Sequence, residues 1–164
     1  MLRLPTPRLP KDAIVAAMSS ALVLLIVNLV ATLLLTGAAW FVQTVHYPLL
    51  ARVGPAQLER YIADESSRTA WSVTLPMLVE LVSAVALVVN RPPEVPLWLT
   101  LVALPPLAVV WFVTVFVQVP RLAHLAGGLD PETHQSLIAS NLLRTASWTI
   151  RSLLLVAMLG LVLR

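Results

Sequence analysis

The stretch AIVAAMSSALVLLIVNLVATLLLTGAAWFVQTVH, residues 13–46, contains no acidic or basic side chain between Asp12 and His46. About 20 consecutive apolar residues cross the hydrocarbon core of a bilayer as a helix, so this run is ample for one crossing. A strand reading fails, because the apolar residues continue without period-two alternation and an open sheet would leave backbone polar groups unpaired in lipid. The run also exceeds the short apolar core of a cleaved leader and is read as a permanent helix. Further along the chain, Glu94 and Arg121 bracket a second uncharged run. Trp71–Asn90 is interrupted only by Glu80, and Leu137–Leu163 only by Arg144 and Arg151. The expected fold is all-α: a four-helix transmembrane bundle with spans at about 13–46, 69–90, 96–120 and 137–163, in one membrane domain covering 1–164.

Composition agrees with a lipid environment. The chain is 59% hydrophobic and 12% charged, against about 25% charged residues in an ordinary soluble domain. Membrane lipids are therefore expected neighbours. The absence of cysteine removes disulfides and thiolate metal sites together. A net charge of +3 is thinly spread, and no basic stripe with interleaved aromatics points to nucleic acid. Nucleophile-elbow serines, Gly-rich phosphate loops and His-Glu-x-x-His zinc motifs are all missing, which disfavours ordinary hydrolases and nucleotide-binding proteins.

The chain contains an internal correspondence. Pro55, Ile62, Ala63, Arg68, Thr69 and Ala70 match Pro131, Ile138, Ala139, Arg144, Thr145 and Ala146 at one constant offset, and Phe-Val-Gln occurs at 41–43 and again at 116–118. Two tandem helical hairpins are expected, related by an axis along the membrane normal because each pair of crossings returns the chain to its starting side. Gln43, Gln118, Arg68 and Arg144 would then form a polar ring at one face. The positive-inside bias favours both termini in the cytoplasm of a multi-pass cell-membrane protein. Arg3, Arg8, Lys11, Arg91 and Arg164 lie on one side, against Arg52, Arg60, Arg68 and Arg121 on the other.

Helix 4 is expected to start with Asp130 as N-cap and Pro131 in the first turn. Pro76 and the Pro105-Pro106 pair are places where helices 2 and 3 can bend. Asn141, Arg144, Trp148 and Arg151 fall on one helical stripe, as do Asn28, Thr32, Thr36, Trp40 and Gln43, and also Trp111, Thr114, Gln118 and Arg121. Such stripes face a shared interior. A charge in a membrane helix costs at least about 2.5–3.5 kcal/mol on insertion scales and needs a partner, a wet cavity or a function. Counting about 1.5 Å of rise per residue brings Glu80 and Arg151 to within reach of each other, so a buried ion pair between helices 2 and 4 is expected. The other role open to Glu80 is proton handling, and to Arg151 anion binding.

If the chain is an enzyme, its candidate catalytic groups are His46, Tyr47 and Glu80, and its candidate ligand-binding groups are Gln43, Arg68, Gln118, Arg121, Arg144 and Arg151. That set can polarise and deprotonate a phenol, quinone or other oxygenated lipid-soluble ligand, with arginine stabilising the anion and histidine or glutamate moving the proton. No metal site is expected, since Glu80 should lie well below His46 and His124. A haem held by those two histidines is the one cofactor to weigh, and no further haem signature supports it.

The stretches VHYPLLARVG (45–54), RTAWSVTLPMLVE (68–80), QVPRLAHLAGGLD (118–130) and NLLRTASW (141–148) resemble uncharacterised bacterial four-helix membrane proteins. In size, helix number and buried polar residues the chain is more remotely similar to the anthrone-oxygenase-like group. That resemblance carries over no catalytic position, and implies oxidation of a phenolic ring by dioxygen without metal or flavin. The sequence thus points to a membrane protein whose polar cavity binds or converts a lipid-soluble small molecule. An accessory or assembly subunit of a larger membrane complex is the main rival. A transporter or channel comes third, and would need a homo-oligomer to enclose a path.

Overall fold

In the computed structural model, residues 11–164 are described, with side chains from Ser20 onward. Arg3 and Arg8, on which the expected orientation partly rests, lie outside the described residues, as does the side chain of Lys11. Among the described residues, four helical stretches are long and apolar enough to cross a membrane: Ser20–Leu50, Pro55–Val89, Leu97–Ala126 and Pro131–Val162. They are built from α1 (Lys11–Phe41), α2 (Tyr47–Leu50), α3 (Pro55–Val89), α4 (Leu97–Val102), α5 (Leu104–Val113), α6 (Val119–Ala126) and α7 (Pro131–Val162). The second and fourth stretches begin about fourteen and six residues before the expected spans, because Pro55 and Pro131 each start a helix well before the charge-poor run. Asp130 caps α7, its carboxylate accepting from the Thr133 amide at 2.8 Å.

The bundle is apolar outside and polar within. Val30, Leu34, Val82, Phe112, Phe116 and Leu153 are exposed, whereas Asn28, Thr32, Glu80, Gln118, Asn141, Thr145 and Arg151 are buried. A lipid-facing exterior requires this arrangement, since polar side chains can only be satisfied between helices. Three apolar layers stack along the axis. Leu25, Leu87, Leu99 and Leu155 fill the end near the α3–α4 turn. Leu35, Met77, Val110 and Trp148 fill the middle, and Tyr47, Leu58, Leu125 and Leu137 the far end.

Proline breaks the helices unequally. α3 continues through Pro76. The third span breaks at Ala103, where Pro105 and Pro106 supply no amide hydrogen to the turn before them. Pro48 and Pro120 act differently, each following a single π-helical turn, at Val42–His46 and Thr114–Gln118. There the Tyr47 amide donates back five residues to the Val42 carbonyl, and the Val119 amide to the Thr114 carbonyl. Both turns end two residues before the proline, and π turns of this kind recur at functional sites.

α1 packs against α3 and α7, and α7 packs against α5, while α3 meets the third span mainly at α4 and α6. The middle of the bundle is therefore loosely closed between α3 and α5.

Candidate functional site

Among the described residues, two polar centres occupy the interior. In the first, the Arg151 Nε donates to Glu80 Oε1 at 2.8 Å, with the two side chains 1% and 0% exposed. Thr32 also donates to Oε1 at 2.7 Å, and Trp148 Nε1 to Oε2 at 3.1 Å. Arg151 donates further to Asn28 Oδ1 at 2.9 Å and to the Ala103 carbonyl turned inward at the α4–α5 break. Asn28 in turn donates to the Glu80 carbonyl and the Ser83 hydroxyl. All four spans are thus tied at one level, between the end layer and the middle layer of apolar side chains. Both charges are paired and their remaining hydrogen-bonding atoms filled, which is the condition for burying ions in lipid.

The second centre is a cavity of about 250 Å³ on the other side of the middle layer. Ser66, Ala70 and Thr74 of α3 and Val119 of α6 are exposed at its edge, so it opens sideways where α3 and the third span diverge. Its polar wall comes from Tyr47, Glu65, Thr69, Gln118, Asn141 and Arg144. The π turns help set this wall. Tyr47, directly after the first turn, donates its hydroxyl to Oε1 of Gln118, the last residue of the second, at 2.6 Å. The Gln118 amide donates to Ser140 at 2.8 Å and to the Leu137 carbonyl at 3.2 Å. Behind Tyr47, His134 Nε2 donates to its backbone carbonyl at 2.7 Å.

Arg144 is the unusual member. It is 9% exposed, its guanidinium lies 5.0 Å from the Trp148 ring centroid, and Nη1 donates to Asn141 Oδ1 at 3.3 Å. It forms no ion pair among the described residues, and its Nε is buried without a hydrogen-bond partner. A buried, uncompensated cation facing a cavity is a costly arrangement unless something else supplies the negative charge.

No protein-family model, curated protein or solved structure matches this chain.

The residues expected to carry chemistry therefore divide. Tyr47, Gln118 and Arg144 line the cavity. Glu80 and Arg151 lie below it and make the expected ion pair. Gln43 stands behind the cavity wall, accepting from Asn141 Nδ2 at 2.8 Å. The expected ring of two glutamines and two arginines does not close, because Arg68 is exposed on the outside of α3. Arg121 donates to the Ser136 carbonyl at 3.4 Å and does not line the cavity. Neither His46 nor His124 lines it: His124 is exposed on α6, and His46 packs against Tyr61 and Glu65. Glu65 is the residue sequence reasoning missed. Tyr61, Glu65 and Thr69 recur every four residues, so their one-sided placement on α3 was a signal in plain sight.

Proposed function

We propose that this multi-pass membrane protein binds a lipid-soluble small molecule in the cavity between α3 and the third span, with Arg144 as the anchor for its anionic or strongly polar oxygen. A single observation carries the reading. The chain buries two arginines in α7 and pairs Arg151 with Glu80, but leaves Arg144, at the cavity, without an ion-pair partner among the described residues. Arg144, Tyr47 and Gln118 supply the polar end of the site, and Leu35, Val73 and Met77 the apolar end. That division suits an amphipathic ligand, since apolar pockets with a few convergent polar groups are the general form of small-molecule sites. The sideways opening suits entry from the bilayer. On this reading the two hairpins are tandem copies, the chain resides in the cell membrane with both termini cytoplasmic, and the cavity lies toward the extracytoplasmic face.

The test is Arg144→Met, which keeps an unbranched apolar stem and removes the charge. Purification in mild detergent, extraction and mass spectrometry should find an acidic or phenolic amphiphile with the wild-type protein. It should be depleted about tenfold or more in the variant, as expected when a charged hydrogen bond worth about 1.5–3 kcal/mol is lost. Thermal stability should be unchanged or raised, because an unpaired buried charge has gone. A variant that unfolds readily yet keeps the same small molecules would make Arg144 a structural residue and overturn the reading.

A further inference from the structure

A neutral weak acid partitions readily into a bilayer, whereas its anion is poorly soluble there, because an unpaired charge in the hydrocarbon core is costly. A ligand that enters the cavity sideways from lipid therefore arrives with its proton. Arg144 gives its full electrostatic stabilisation only to the anion. Between arrival and capture a proton must move, and the cavity wall includes one carboxylate among the described residues, Glu65.

Glu65 lines the same cavity as Arg144 but comes from α3 rather than α7, and the two are not in ion-pair contact. Its Oε1 accepts from the Thr69 hydroxyl at 3.0 Å and lies 3.5 Å from His46 Nε2. The other ring nitrogen of His46, Nδ1, is 3.4 Å from the Tyr61 hydroxyl, and the two rings stack with centroids 6.1 Å apart. The Glu65 and His46 side chains are 18% and 15% exposed, and Tyr61 is 40% exposed. Exposed Glu59, Arg60, Asp64 and Arg68 surround this end of α3, which marks it as the polar, water-facing end of the helix. Other groups facing Glu65 are few. The first span presents His46 and Tyr47, α7 presents Arg144, and the third span presents the neutral Thr114 and Gln118 to the cavity. Arg121 is turned to the Ser136 carbonyl.

We infer that the cavity takes up a weak oxygen acid, a phenol or a carboxylic acid, in its neutral form and holds it as its anion on Arg144, the proton passing to Glu65 and on to His46. This rests on the reading of the cavity as a ligand site. The ligand O–H bond breaks, its electron pair stays on the ligand oxygen, and the proton moves first to the Glu65 carboxylate and then to the imidazole. No electrons change hands. The product state contains two ion pairs, ligand with Arg144 and imidazolium with Glu65. Uptake from the membrane is electroneutral, and the proton stays within the site instead of passing to the medium.

The test uses 2-naphthol, a phenol that is neutral in solution at about pH 8. Its anion has a separate absorption band. Wild-type protein in nanodiscs should bind it with the naphtholate spectrum and with no net proton release in a weakly buffered dye assay. Glu65→Gln, and His46→Phe, which keeps a ring against Tyr61, should retain the wild-type melting temperature. Each should bind the probe in its neutral form, about tenfold more weakly. Naphtholate persisting in both variants, or one proton released per probe by the wild type, would assign the ionisation to Arg144 alone and overturn the proton step. Neutral naphthol bound by the wild type and lost in Arg144→Met would also sink the proton step while leaving the cavity reading intact. No binding to the wild type would count against both.

Discussion

Replacing Glu80 and Arg151 by leucine, singly and together, tests whether the first polar centre holds the bundle. Each residue is essentially unexposed, and each would leave the other as a charge without a counter-ion between helices. Removing one partner of such a pair costs about 3–5 kcal/mol, so two independent losses would total about 6–10 kcal/mol. The double variant removes both charges and leaves the Trp148 indole N–H, the Asn28 amide oxygen and the Ala103 carbonyl short of a partner. Thr32 can turn its hydroxyl back to its own helix. With about 1–3 kcal/mol for a stranded buried group, partly relieved by rearrangement, the double variant should lose about 3–5 kcal/mol, no more than the worse single variant. Recovery is incomplete because Glu80 serves three donors rather than Arg151 alone. The assay is equilibrium unfolding in detergent, read as a double-mutant cycle. A double variant that loses the full sum would show the two residues to be energetically independent and refute the reasoning.

The Tyr47–Gln118 contact gives a second case. Gln118→Leu removes the acceptor of the Tyr47 hydroxyl and the donor to Ser140 and should cost about 1–3 kcal/mol in the same assay, with Tyr47→Phe adding little once that acceptor is gone. Orientation can be read with single cysteines, because the chain has none of its own. At Ala56 and Thr133 an impermeant thiol reagent added to intact cells should label the protein, and at Glu94 it should not. Labelling at Glu94 alone would reverse the orientation.

Much of the bundle was legible from composition and charge spacing, because lipid imposes a rule that acts on sequence directly. A helix must be long and apolar enough to cross, and a charge within it must find a partner. The four crossings follow from the first condition, and the pairing of Glu80 with Arg151 from the second together with the helical rise. The cavity was less legible. Arg68 and Arg144 stand in identical Arg-Thr-Ala triplets, yet one points outward and the other is buried over Trp148. Helical phase relative to the neighbouring spans decides between them, and that phase is a property of packing.

The two Phe-Val-Gln triplets make the same point. Read in one dimension they are equivalent, but the π turns are positioned by Pro48 and Pro120, so Gln43 is the second residue of its turn and Gln118 the last of the other. Gln43 consequently meets Asn141, and Gln118 meets Tyr47, Ser140 and the Leu137 carbonyl. Glu65 shares a helical face with Tyr61 and Thr69, but only packing shows that this face, and not that of Glu59 or Asp64, meets His46 and the cavity. By itself the sequence determined that this chain folds as four apolar helices with their polar residues turned inward, since water is absent outside them. Only the tertiary structure decided which inward charges cancel and which one, Arg144, is left without an ion-pair partner among the described residues, because ion pairing depends on ångström distances between helices that no spacing along one helix can fix.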